Sequence, residues 1–205
     1  MVKTLYLIRH GATQGDGVKR YKGSLDVPLS EEGIEQIKRV ALYLSKVIKD
    51  ERPVVYSSPL SRALKSAEII SDNFNVKPVI VPELRERNFG IWEGMSFEQI
   101  KERYPEEFSL WADNPLKYSP PGGESTIEVR DRVMKALRGL LHPFTNSPIQ
   151  IIVAHGGVNR IILCELLGIP LENIFRIEQE HGAINIIEFH DNYPVVKLVN
   201  GICTV

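Results

Sequence analysis

The stretch Ile149-Gln150-Ile151-Ile152-Val153-Ala154 constrains the fold more than any other segment of the chain. Its run of β-branched residues offers no polar face to solvent, so it reads as a central strand covered on both sides. Such a strand belongs to a sheet with helices on each face, and the remaining sequence alternates strand and helix patterns to build one. Thr4 to Ile8, Val54 to Tyr56 and Val79 to Val81 read as further strands. Ser30 caps a helix whose inward stripe is Ile34, Ile37, Val40, Ala41, Leu44, Val47 and Ile48. Ser58 as cap, with Pro59 at the first helical position, opens a second helix carrying Leu60, Ala63, Leu64, Ala67 and Ile70. Ser125 to Glu128 is a capping box for a third, and Val158 to Leu167 is a fourth that stops at Gly168. Ala183 to His190 and Val195 to Val199 make two late strands joined by the turn Asp191-Asn192-Tyr193-Pro194.

The expectation is one α/β domain over residues 1–205, with a mostly parallel sheet, a small antiparallel element late in the chain and a cap-like insertion at about 95–123. The insertion shows a capping-box pattern at Ser96 to Gln99, short helical pieces, and a Pro-Pro-Gly-Gly break. With 205 residues, 43% of them apolar, the chain can bury a sizeable core without disulfides.

In sheets of this kind ligands sit beyond the carboxyl ends of the strands. Two of the five histidines fall there: His10 after the first strand and His155 after the Ile149 to Ala154 strand, each followed by glycine. Arg9 lies beside His10, and Arg62 stands in the first turn of a helix expected to point to the same place. Two guanidiniums, two imidazoles and free backbone N–H groups match a phosphate monoester, which carries about −1.5 to −2 charges and three acceptor oxygens near neutral pH. Neutral imidazole is also a nucleophile at that pH. An alkoxide leaving group needs a proton, and Glu83-Leu84-Arg85-Glu86-Arg87 is the segment placed to donate it; on spacing alone Glu83 and Glu86 compete.

Overall charge narrows the ligand further. Lys plus Arg number 25 against 26 Asp plus Glu, a formal net charge of −1, so no global field draws nucleic acid, an anionic membrane or a polyanion. Any anion is met by a local cluster. Cys164 and Cys203 are too few for a disulfide framework and fit a reducing cytoplasm, with Cys164 an inert buried thiol. No apolar run approaches the ~20 residues of a membrane span. The chain reads as soluble, untargeted and cytoplasmic, with no metal-ligand spacing and no cofactor motif.

Six blocks then carry a likeness: Leu7-Ile8-Arg9-His10-Gly11 with Thr13; Gly23-Ser24-Leu25-Asp26-Val27-Pro28-Leu29-Ser30 with Gly33; Tyr56-Ser57-Ser58-Pro59-Leu60-Ser61-Arg62-Ala63; Leu84-Arg85-Glu86-Arg87-Asn88-Phe89-Gly90-Ile91-Trp92-Glu93-Gly94; Pro121-Gly122-Gly123-Glu124-Ser125; and Val153-Ala154-His155-Gly156-Gly157. On these the chain resembles the histidine phosphatase superfamily, its phosphoglycerate-mutase-like group, across essentially its whole length. The resemblance implies a three-layer α/β/α fold without a catalytic metal. It implies that His10 is the nucleophile, Glu86 the proton donor, and Arg9, Arg62 and His155 the binders of the transferred phosphoryl group, with Thr13, Gly23 and Gly156 lining the phosphate site. One departure is Asp16, where the family usually has an asparagine that contacts phosphate; a carboxylate beside a dianion is repulsive.

Whether water or a second hydroxyl accepts the phosphoryl group separates phosphatase from mutase. Residues 95–120 hold three cations, Lys101, Arg103 and Lys117, against the acids Glu98, Glu102, Glu106, Glu107 and Asp113, whereas mutases of this kind typically carry a longer, more basic insertion. Where mutases have Arg-His-Tyr after the family glutamate, this chain has Arg87-Asn88-Phe89. The resemblance thus implies a phosphatase acting on small phosphate monoesters, with a cofactor-dependent phosphoglycerate mutase as the alternative; a non-catalytic phosphate-sensing module is a third reading, and the oligomeric state is open between monomer and homodimer. His142 and His190 read as structural, His181 as a residue that borders the pocket without a firm role, and Trp92, Phe97, Phe108, Trp111 and Tyr118 as packing for the insertion. Arg85 and Arg87 are open between solvated charges and a grip on a second anionic group.

Overall fold

The computed structural model describes residues 3–15, 20–49, 51–141, 147–191 and 193–204. Asp16 and His142 lie outside those residues. Six strands form one sheet: β1 (Lys3–Arg9), β2 (Val54–Ser57), β3 (Val79–Ile80), β4 (Ile149–Ala154), β5 (Ile184–His190) and β6 (Tyr193–Gly201). Their spatial order is β3-β2-β4-β1-β5-β6. The neighbours from β3 to β1 are parallel, and β5 runs antiparallel to both β1 and β6. The expected mostly parallel sheet with a late antiparallel element is what forms.

Alternation along β1 and β4 builds two cores at once. Leu5, Leu7, Ile152 and Ala154 face α5 (Thr126–Leu141) and α6 (Gly156–Leu167), while Tyr6, Ile8, Ile151 and Val153 face α1 (Glu31–Val47) and α2 (Ser61–Asp72). The single polar residue of β4, Gln150, is buried and donates through Nε2 to the Leu140 carbonyl at 2.9 Å, which accounts for an amide in an otherwise apolar strand. The α1 stripe is as expected except that Val47 is 43% exposed in the last turn.

Caps mostly follow the sequence pattern. Ser30 Oγ accepts from Gly33 N at 3.1 Å, Ser96 and Gln99 form a reciprocal box, and Gly168 closes α6 with φ of 65°. One expectation is corrected: α2 begins at Ser61, with Leu60 at its N-cap and no side-chain cap. Pro59 and Ser58 lie before the helix, so the Ser58 hydroxyl is left for other work.

The loop after β1 lies directly against α1, because two glycines meet there. A Cβ on Gly33 would stand 2.0 Å from the Ala12 carbonyl oxygen, and one on Gly11 2.3 Å from that of Gly33, so backbone packs on backbone at this point. Between β3 and α5 the chain makes an excursion containing α3 (Phe97–Arg103) and α4 (Pro105–Asp113). Its aromatic residues pack on each other: Trp92 stacks on Tyr118 with ring centroids 5.9 Å apart, and Phe108 meets Phe97 at 5.1 Å and Trp111 at 5.6 Å.

Candidate active site

Sheet register determines where the strand-end residues meet. Arg9 pairs with Ala154 across β1 and β4, and Ser57 pairs with Val153 across β2 and β4. His10, His155 and Ser58 therefore leave the same end of three adjacent parallel strands. The His10 and His155 rings are 5.1 Å apart between centroids, and both residues are buried, at 5% and 0% exposure.

The surrounding bonds decide the state of each ring. His10 Nδ1 lies 2.7 Å from the Gly11 carbonyl oxygen. A carbonyl can only accept, so Nδ1 carries the proton and Nε2 keeps its lone pair. Burial, reinforced by His155, Arg9 and Arg62, holds the His10 imidazolium well below the ordinary histidine range. Burial does the same to His155, with Arg62, Arg9 and Arg132 adding to it. His155 Nε2 is 2.7 Å from Ser58 Oγ, and among the described residues its Nδ1 has no hydrogen-bond partner.

These two buried neutral imidazoles set an acid limit on the fold. The unfolded chain takes up protons below about pH 6.5 that the folded sites refuse, so stability falls as pH drops through that value. The expected loss is up to about 1.4 kcal/mol per pH unit for each histidine. Urea midpoints at pH 7, 6 and 5 should decline for the wild type and decline less steeply for His155→Asn; a flat wild-type profile over that range would contradict the burial argument.

Arg62 is 2% exposed in the first turn of α2, donating to the carbonyls of Leu25 at 2.6 Å and Gly23 at 2.7 Å. Gly23 has φ of 49°, and a Cβ there would stand 2.7 Å from the Arg87 carbonyl, so only glycine lets the two loops approach. Arg9 donates to the Gln179 carbonyl and, at 2.7 Å, to His181 Nε2. Its guanidinium lies over Gly156, whose added Cβ would meet Arg9 Nε at 3.4 Å. Thr13 bridges to Leu29 and accepts from Lys22 Nζ at 2.5 Å.

Of the two competing acids, Glu83 is exposed on a short 3₁₀ turn, Pro82–Leu84. Glu86 instead lies against the start of α6: Oε2 accepts from Gly157 N at 3.0 Å and Oε1 from Arg87 N at 2.9 Å. Arg87 donates to the Glu124 carbonyl, the Thr126 hydroxyl and the Tyr118 carbonyl, and its guanidinium also lies 5.1 Å from the Phe89 ring centroid, so it ties loops together. Arg85 pairs with Glu124 at 3.4 Å. His190 lies 3.7 Å from Glu188 at the far end of β5.

His181, expected to border the pocket, does so, and further residues at the site were not singled out from sequence. His181 lies 5.5 Å from His10 between ring centroids because β5, being antiparallel, starts at the end where β1 stops. Gly182 N donates to the His10 carbonyl at 3.1 Å, which locks that segment to the strand end. Gln179, which holds Arg9, is itself held through an amide pair with Asn185 at 2.8 and 2.9 Å. Lys22 and Ser58 complete the set. Strand pairing brings His181 and Gln179 here, and no local signal marks Gln179.

Compared with known proteins, residues 5–201 match the model of the histidine phosphatase superfamily (branch 1). Phosphoserine phosphatase 1 of Hydrogenobacter thermophilus is 34% identical over 203 residues, covering 99% of this chain and 94% of that one. The crystal structure of the α-ribazole phosphatase of Shigella flexneri superposes with a TM-score of 0.87 at 27% identity, covering 98% of each chain. The structure of a mycobacterial glucosyl-3-phosphoglycerate phosphatase complexed with VO3 gives a TM-score of 0.83 at 26% identity, covering 97% of this chain and 99% of that one.

Proposed function

The chain belongs to the histidine phosphatase superfamily (branch 1), and from that premise we propose that it is a metal-independent phosphatase that hydrolyses small phosphate monoesters through a phosphohistidine on His10. The observation that carries the reading is the His10 Nδ1 bond to the Gly11 carbonyl in a buried, neutral ring, because it leaves Nε2 with a lone pair and no proton to shed. Three phosphatases named for different substrates align with nearly the whole chain, two of them as solved structures of the same fold.

The chemistry follows from the side chains present. Arg9 and Arg62 hold the phosphoryl oxygens, with Thr13 and the backbone around Gly23 and Gly156 lining the same pocket. The Ser58 hydroxyl donates to His155 Nε2, so His155 offers an Nδ1–H donor to an equatorial oxygen. His10 Nε2 attacks phosphorus in line, the ester P–O bond breaks, and Glu86 protonates the departing alkoxide. Glu86 then takes a proton from water as the water attacks the phosphohistidine, and the N–P electron pair returns to Nε2. Arg87 is committed to loop contacts, which argues against its gripping a second anionic group.

The excursion at about 95–123 is read as a cap; in support, Tyr21 N donates to the Met95 carbonyl at 2.9 Å and Arg20 to Gln99 Oε1 at 3.0 Å, close in sequence to the Gly23 loop. Among the described residues no helix is long and apolar enough to cross a membrane, and Cys164 and Cys203 are free thiols, which supports a cytoplasmic setting.

Purified protein should release inorganic phosphate from members of a panel of sugar phosphates, phosphoserine, phosphoglycerates and p-nitrophenyl phosphate. Release from none would overturn hydrolysis. Rapid interconversion of 2- and 3-phosphoglycerate stimulated by the bisphosphate would establish the mutase in its place.

A further inference from the structure

Arg132, on α5, engages all five of its N–H donors: three acceptors are carbonyls of the segment that carries Glu86, and the other two are the carboxylate oxygens of Glu124, which braces that segment. Nη1 donates to the carbonyls of Glu83 at 2.5 Å and Arg85 at 2.9 Å, and Nη2 to the carbonyl of Glu86 at 3.2 Å. Nε and Nη2 form a two-pronged pair with Glu124 at 2.8 and 2.9 Å. Glu124 closes the frame, accepting from Asn88 N at 3.0 Å through Oε2, while its own backbone N–H donates to the Asn88 carbonyl at 2.8 Å. The two side chains are only 13% and 17% exposed. Burial alone would push the Glu124 carboxyl up, yet the Arg132 and Asn88 bonds and the charges of Arg132 and Arg85 carry it below the usual range, so the pair is ionised.

We propose that Arg132 and Glu124 are positioning residues for the proton donor, gripping the backbone on both sides of Glu86 so that its carboxylate stays against the Gly157 N–H. The proposal rests on the Glu86 reading above. A rigid α5 supplies the anchor, and the planar guanidinium supplies directions that a lysine ammonium cannot reproduce. Three directed bonds reach one short segment and two more hold the Glu124 that braces it, and each carbonyl gripped lies within three residues of the acid.

The test compares kcat/KM on an alkyl phosphate, whose departing alkoxide needs a proton, with that on p-nitrophenyl phosphate, whose departing phenolate does not. For Arg132→Lys and Glu124→Gln the alkyl ester should lose at least about tenfold more than the aryl ester. Adding either change to Glu86→Gln should bring no further discrimination, because the misplaced group is already gone. Equal losses on the two esters, or a full additional loss on top of Glu86→Gln, would mean the pair only supports the fold and would overturn the proposal. If Glu86→Gln alone fails to discriminate, the proton-donor reading itself is wrong; if it discriminates and the other two variants do not, only the positioning role fails.

Discussion

Replacing His10 with alanine is expected to lower turnover of every phosphate monoester by on the order of 10⁴ to 10⁶, since the proposed reaction depends on the lone pair of its Nε2. His155 is the nearest competitor, 5.1 Å away between ring centroids, but its Nε2 is engaged by Ser58. Phosphate and vanadate should still bind the variant, because Arg9, Arg62 and His155 are unchanged. Brief mixing of wild-type protein with a labelled ester should leave acid-labile, base-stable phosphate on His10, and none on His10→Ala. A variant that keeps a tenth of its activity, or that labels elsewhere, would remove His10 from the reaction.

Glu86→Gln should cost about 10² to 10⁴ in kcat/KM on alkyl phosphates, the usual worth of a positioned acid, and less than about tenfold on p-nitrophenyl phosphate. The contrast arises because kcat/KM reports steps up to phosphorylation of His10, where an aryl leaving group departs without a proton. The second half-reaction is different: with no base to take the water's proton, kcat should fall for both esters toward one common value set by hydrolysis of the phosphohistidine. The expected signature is thus a split in kcat/KM and convergence in kcat. A uniform loss in kcat/KM across leaving groups would show that the carboxylate does not act as an acid. The geometry suits both duties, because Gly157 N–H and Arg87 N–H hold the carboxylate beside the start of α6, two residues from His155.

Much of the fold was legible because it is encoded over short distances. The β-branched stretch at Ile149 to Ala154 needed cover on both faces and received it, and the caps at Ser30, Ser96 and Ser125 sit where the pattern placed them. Ser58 was misread for a local reason: Ser-Pro before an apolar helix looks like a cap, and only the approach of His155 shows what its hydroxyl serves. Glu86 and Glu83 could not be separated by spacing; the structure sets the half-buried Glu86 against α6 and leaves Glu83 exposed. Arg87 and Glu124 show the converse, since a charged residue in a promising segment can be consumed by loop backbone that no local pattern reveals, Arg87 by the Glu124 and Tyr118 carbonyls and the Glu124 carboxylate by the Asn88 N–H.

By itself the sequence determined the α/β alternation, the two strand-end histidines with their arginines, and the absence of a global charge field, because strand and helix periods, breakers and net charge are local or summed properties. Only the tertiary structure decided that β5 inserts antiparallel beside β1 and so delivers His181 and Gln179 to Arg9, and that α5 lies where Arg132 can grip the loop carrying Glu86. Those contacts join segments about 45 to 170 residues apart. Their geometry follows from strand register and helix packing, which are properties of the whole sheet and of no single stretch of chain.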